Sequence, residues 1–206
     1  LVGHTVLRAR AMDSLDRPAT EAEVAAMRAD LAQALDDGAV GISTGLAYPN
    51  ARHATTDEVT ALVADAAARG RMWTTHMRDE RLGVVSAVAE TIAIARASGA
   101  RTIISHHKCI GQAAFGLSTT TLAMIDKARG ELPLDLDVYP YTASSTVLMA
   151  HNARDAQRTT ISWSDPHPGM AGRDLAEVAA EWGVDIAEAV ERLSPAGAIY
   201  HQMDEA

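Results

Sequence analysis

The sequence predicts an α/β fold, a partial TIM (β/α)8 barrel of about five strand-plus-helix steps. Three observations carry that prediction. Short apolar, β-branched stretches alternate with helical patterns at a period near thirty residues, which predicts parallel strands joined by helical crossovers. The helical stretches begin at capping residues and end at glycines. Residues able to do chemistry follow the ends of four successive predicted strands, whereas a doubly wound sheet would concentrate them at its switch point. With 206 residues the chain has room for one sizeable core, but falls short of the roughly 250 residues of a complete barrel.

In chain order, residues 1–7 read as a strand, with Arg8 and Arg10 beyond it. Thr20 and Glu23 form a capping-box pattern, and Val24, Met27, Leu31 and Leu35 recur at helical spacing, so a helix is predicted over 21–36, stopped by Gly38. Residues 39–43 read as a strand opening into the Gly/Pro loop 44–49. Thr55 or Thr56 caps a helix to Ala68. A strand over 72–76 ends at His76, and a helix over 84–97 ends at Gly99. A further strand, Ile103 onward, runs into His106. Ser118 caps a helix to Arg129, and 134–138 is a strand leading to Tyr139. After Val147 the alternation breaks. A short strand at 161–163, helices over 173–182 and 186–192, and a strand start at 198–200 are expected there.

Composition excludes several classes. Hydrophobic residues make up 48% of the chain, the expectation for a packed globular protein. A net charge of −9 argues against nucleic acid as the main partner. No apolar run reaches membrane-spanning length. The single cysteine excludes an internal disulfide framework and fits a reducing, cytoplasmic compartment.

The predicted strand ends gather His76 to Glu80, His106 to Lys108, Ser43 to Tyr48 and Tyr139 to Ser145 at one mouth. Two histidines one repeat apart, thirty positions, suit a shared metal ion; alone, each reads as a core or surface histidine. Strand alternation turns His107 away from His106 and puts Lys108 on the side of His106, either as an anion clamp or as a solvated lysine. Arg78, Asp79 and Glu80 read as a solvated turn. Tyr48 and Tyr139 each precede proline and are held extended. Ser144 and Ser145 read as caps, and Cys109 as an inert thiol. His4, His53, His151, His167 and His201 lack partners at ligand spacing and read as surface or packing residues.

Four ordered stretches, residues 41–49 (GISTGLAYP), 75–80 (THMRDE), 104–108 (ISHHK) and 137–143 (DVYPYTA), together resemble the N-acyl-D-amino-acid deacylases of the amidohydrolase superfamily. Residues 16–20 and 171–175 resemble that family too, so the similarity runs along nearly the whole chain. The resemblance implies an amidohydrolase TIM barrel, of which this chain covers about strands three to seven. It also implies Zn2+ bound through His76 and His106, and a substrate-carboxylate pocket containing Lys108 and Tyr139, with Tyr48 and Ser145 nearby. The implied reaction is attack of zinc-bound hydroxide on the amide of a small N-acyl-D-amino acid, releasing a carboxylic acid and a D-amino acid. The first-strand histidines and a ligating cysteine are expected upstream of residue 1, and the general acid/base beyond Ala206. Residues 1–206 are therefore expected to be a segment of one catalytic barrel domain, truncated at both ends, inactive by itself and without a catalytic residue of its own. Two alternatives remain at this point. One is another amidohydrolase, dihydroorotase-like or dipeptidase-like; the other is a non-catalytic metal-binding α/β domain.

Overall fold

A computed structural model of the chain describes residues 1–204 and divides into two compact units. The first unit takes residues 1–109 and 116–139; the second takes 110–115 and the chain from Pro140 onward.

The first unit is the repeating part. Its strands are β1 (Val2–Gly3), β2 (Gly41–Gly45), β3 (Met72–His76), β4 (Thr102–Ile104) and β5 (Leu134–Leu136). They form one wholly parallel sheet in the order β1-β2-β3-β4-β5. Strictly sequential order contains no reversal, hence no switch point of the doubly wound kind; an arc of a (β/α)8 barrel has this order. Helices α1 (His4–Ala11), α2 (Glu21–Asp36), α3 (Thr56–Ala67), α4 (Val84–Ser98) and α5 (Ser118–Arg129) fill the connections.

Local chemistry explains where most of these helices start and stop. Thr20 accepts from the Glu23 N–H while the Glu23 carboxylate takes the Thr20 N–H, closing the capping box of α2. Thr55 caps α3 by accepting from Glu58 N. Gly38 and Gly99, at φ 105° and 69°, turn the chain out of α2 and α4 through left-handed backbone that a side chain disfavours.

The sheet has one closed face and one open face. Ile42, Trp73, Ile104 and Leu134 are buried and share a core with Met27, Leu31, Leu62, Val63, Val88 and Ile125 of the helices. Trp73 is wholly buried, and its indole N–H donates to Thr44 Oγ1 at 3.0 Å. Alternation sends Met72, Thr74 and His76 to the opposite face, where they are only half-buried. His76 lies in register with Gly45 at the carboxyl end of the sheet.

Two sequence expectations change here. Residues 4–11 form helix α1, leaving only Val2–Gly3 as strand. His4 and Arg8, which read as strand and loop, are wholly buried on that helix against Glu58 of α3. The strand expected to run into His106 stops at Ile104.

The second unit is an antiparallel sheet of order β6-β8-β7, formed by β6 (Ala143–Val147), β7 (Arg158–Ser164) and β8 (Ala196–His201). Helices α6 (Ala150–Asp155), α7 (Leu175–Trp182) and α8 (Ile186–Leu193) complete it. Ile161, Ala198 and Tyr200 pack with Leu175, Val178 and Leu193 in its own core. The Tyr200 hydroxyl donates to Val147 O and accepts from Met149 N, tying the end of β6 to the start of α6. Ser144 and Ser145, expected as caps, are strand residues paired with Tyr200 and Ile199. Among the described residues no helix is long and apolar enough to cross a membrane.

Candidate metal centre

The site is built at the carboxyl end of the parallel sheet by the residues that follow β3, β4 and β5. β3 delivers His76 directly. β4 delivers His106 differently from the alternation argument, because the chain has already left the strand. Ser105 N donates to Thr75 O, and His106 then adopts φ 42°, the one described non-glycine residue with positive φ. A left-handed imidazole-bearing residue needs outside support. Asp137, just past β5, supplies it: its carboxylate accepts the His106 N–H at 2.6 Å, its own N–H donates to Ile104 O, and its carbonyl accepts from His107 N. The turn points the His106 ring back toward β3.

The outcome is a close pair. His76 Nδ1 and His106 Nε2 lie 3.1 Å apart, and the two rings meet edge to face with centroids 4.6 Å apart. Tyr48 tilts against the other side of His76 at 4.9 Å. The loop carrying Tyr48 is fastened by Arg78, whose guanidinium donates to the carbonyls of Arg52 and Ala54 while paired with Glu90 of α4. Arg78 therefore works as a clamp rather than as part of a solvated turn.

Glu80 is the residue that sequence reasoning missed. It read as part of that solvated turn; it is in fact 6% exposed, at the centre of the cluster. Lys108 Nζ donates to Glu80 Oε1 at 2.6 Å and to His106 O at 2.8 Å, and lies 2.8 Å from His106 Nδ1. Lys108 also stands 5.7 Å from the centre of the Tyr139 ring, a cation–π distance. One signal was available: a metal-binding histidine usually gives its second nitrogen to a carboxylate, and Glu80 lies four positions after His76.

Electrostatics keep these groups in usable forms. Burial lowers the His76 imidazole to about 4, against the opposing pull of Glu80 and with help from His106 and Lys108, so it is neutral at neutral pH. Burial alone would raise the Glu80 carboxyl, but the hydrogen bond from His106 and the charge of Lys108 outweigh it and keep the group ionised. Burial lowers Lys108, with Glu80 opposing. The Tyr139 phenol is pushed up to about 12, by burial first and Glu80 second, so it remains a neutral donor. Cys109 is half-buried with its thiol raised by burial, which suits an inert role.

Among the described residues, His76, Glu80 and His106 gather side chains that could hold a metal ion, with one ligand atom of each within 4.8 Å of the others. Of the residues read from the sequence as site residues, the first unit brings together His76, His106, Lys108, Tyr139 and Tyr48. Ser145 belongs to the second unit, exposed on β6.

No family model matches the chain. It is 47% identical to a D-aminoacylase of Alcaligenes xylosoxydans xylosoxydans over 205 residues, all of this chain and 42% of that protein. It is 48% identical to an N-acyl-D-glutamate deacylase of the same organism over 207 residues, with the same coverage of both. A crystal structure of N-acyl-D-glutamate deacylase from Bordetella bronchiseptica, complexed with zinc and a phosphonate mimic of the tetrahedral intermediate, superposes on the whole chain. That match has a TM-score of 0.95 and 47% identity, and covers 44% of that protein. A D-aminoacylase structure described as defining a novel subset of amidohydrolases matches 98% of the chain with a TM-score of 0.90 and 45% identity, over 43% of its own length. The chain thus spans less than half the length of these relatives.

Proposed function

We propose that this chain, homologous along its whole length to the N-acyl-D-amino-acid deacylases, is part of a zinc-dependent amidohydrolase. Its substrates would be N-acyl-D-amino acids, cleaved to a carboxylic acid and a free D-amino acid. The observation that carries the reading is the facing pair His76 Nδ1 and His106 Nε2, 3.1 Å apart, with the Lys108 ammonium beside it.

The donor set fits the ion. Zinc–nitrogen bonds of about 2.0–2.1 Å arranged tetrahedrally put neighbouring donor atoms roughly 3.3–3.4 Å apart, close to the spacing of this pair. Both nitrogens belong to borderline ligands that suit zinc, and His76 is already neutral. When bound, zinc would lower the pKa of water and polarise an amide carbonyl. This chain's residues hold and orient. Lys108 puts a cation beside the site and would attract the substrate carboxylate, with the neutral Tyr139 phenol as a second donor. Tyr48 would wall the pocket beside His76. Ser145, in the second unit, is read as a substrate-binding residue from its motif position. Five sequential parallel strands with one half-buried face support a closed barrel, since wholly parallel sheets are normally covered on both faces. Residues 1–206 are read as a segment of one catalytic domain. A single unpaired cysteine supports a cytoplasmic location.

The test is a panel of N-acyl-D-amino acids, their L-enantiomers, dipeptides and cyclic amides offered to the intact protein. Hydrolysis confined to the D-compounds is expected, with Lys108→Met raising KM by about 10–100-fold through the loss of a charged contact worth about 1.5–3 kcal/mol. Cleavage of only dipeptides or cyclic amides would point to another amidohydrolase. Zinc uptake without hydrolysis of any compound would point to a binding domain.

A further inference from the structure

We propose that Glu80 is a positioning residue of the metal centre, holding both histidines by their outer nitrogens and anchoring Lys108, without itself being a ligand. The proposal rests on the zinc reading above and deepens it. Each imidazole has two nitrogens, and the structure divides them cleanly. The inner pair, His76 Nδ1 and His106 Nε2, face one another. The outer pair face Glu80: His106 Nδ1 lies 3.2 Å from Oε1, and His76 Nε2 lies 3.5 Å from Oε2. One carboxylate therefore spans the back of both rings, an oxygen to each.

This arrangement fixes protons as well as ring angles. Glu80 favours a proton on each outer nitrogen, which would leave the inner nitrogen its lone pair for a metal, while at His106 Nδ1 the Lys108 ammonium, 2.8 Å away, shares that side. A third ligand to an ion held by the inner nitrogens would have to share their side, whereas the contacts of Glu80 with the two rings are at the outer nitrogens. Its oxygens also carry a further load, because Oε1 receives the Lys108 ammonium at 2.6 Å. The Glu80 side chain is 5% exposed, and a carboxylate so deeply buried persists only when paired and hydrogen-bonded. The two rings and the ammonium satisfy that need together. Glu80 thereby couples the metal side of the site to the lysine proposed for the substrate carboxylate.

The experiment compares zinc affinity, by chelator competition, and zinc coordination number, by X-ray absorption, in the intact wild-type protein and in Glu80→Gln. Glutamine keeps the shape but offers one acceptor and loses the charge. The expected result is zinc binding weakened by about 10–100-fold with an unchanged number of ligands, and with Lys108→Met weakening it clearly less than Glu80→Gln does. An unchanged affinity in Glu80→Gln overturns the proposal. A ligand missing from the absorption spectrum also overturns it, by making Glu80 a ligand. An effect reproduced in full by Lys108→Met overturns it too, by making the lysine the agent. If Glu80→Gln does not fold, Glu80→Asp, which keeps the charge on a shorter arm, is read by the same criteria. Failure of the zinc reading shows itself separately: His76→Ala then binds zinc as the wild type does, and the proposal falls with it.

Discussion

His106→Ala, and equally His76→Ala, is expected to weaken zinc binding by more than about 100-fold and to reduce amide hydrolysis at least in proportion. The lower bound follows from the 10–100-fold cost of losing a mere outer-shell partner. Both residues give a nitrogen to the 3.1 Å inner pair, and among the described residues the metal-binding group contains only these two imidazoles. Removing either leaves half of the facing pair. His107→Ala is the internal control. His107 is buried and follows His106 directly, yet it lies outside the metal-binding group, so its loss should affect stability more than zinc affinity. Chelator competition on the three variants checks the order. Equal zinc affinity in His106→Ala and His107→Ala would contradict the assignment.

Glu58→Ala is expected to destabilise the protein by about 3–5 kcal/mol, the usual consequence of removing one partner from a buried ion pair. Both Arg8 and His4 are wholly buried and both point to Glu58. Arg8 Nη1 lies 2.6 Å from each carboxylate oxygen, and His4 Nε2 lies 2.8 Å from Oε1. Without the carboxylate, the Arg8 guanidinium keeps only its bond to Arg17 O as a described contact while remaining sealed from water. Urea unfolding of wild type and variant measures the loss.

The same cluster gives a pH dependence with a definite sign. Burial would raise the Glu58 carboxyl, but its hydrogen bonds to His4 and Arg8 outweigh burial and hold it below the usual range. A carboxyl lowered in the folded state stabilises that state above its unfolded pKa of about 4.3. That contribution drains away as pH falls through the lowered folded value. Wild type should therefore lose stability on acidification below about pH 4.3 more steeply than Glu58→Ala; parallel pH profiles would contradict the pairing.

What the sequence made legible was whatever local chemistry decides. The Thr20–Glu23 capping box, the Thr55 cap and the glycines after α2 and α4 bounded their helices from neighbouring residues alone. The strand ending at His76 was readable because four residues of apolar and β-branched character, Met72 to Thr75, precede it without interruption. Helix α1 was hidden because its buried side includes His4 and Arg8, polar residues whose burial depends on Glu58, fifty residues away. β6 was hidden by its composition, Ala-Ser-Ser-Thr-Val, which reads as a turn until β8 pairs with it.

The site followed the same division. The two histidines were visible through the thirty-residue repeat, and Lys108 through its place beside them. The means by which His106 reaches His76 was not visible. It depends on a left-handed turn supported by Asp137, thirty-one residues further on. Glu80 looked like an ordinary surface acid because its partners His106 and Lys108 come from a different strand end. A charge is identified as buried only once tertiary partners are known.

The measurement that tests the account most directly is release of D-methionine from N-acetyl-D-methionine by the intact protein, with zinc stripped by a chelator and then restored, alongside the L-enantiomer. The account predicts that hydrolysis of the D-compound disappears on stripping and returns with zinc, while the L-compound is spared throughout. Hydrolysis of the D-compound unaffected by metal removal, or a zinc-restored protein that prefers the L-compound, would contradict it.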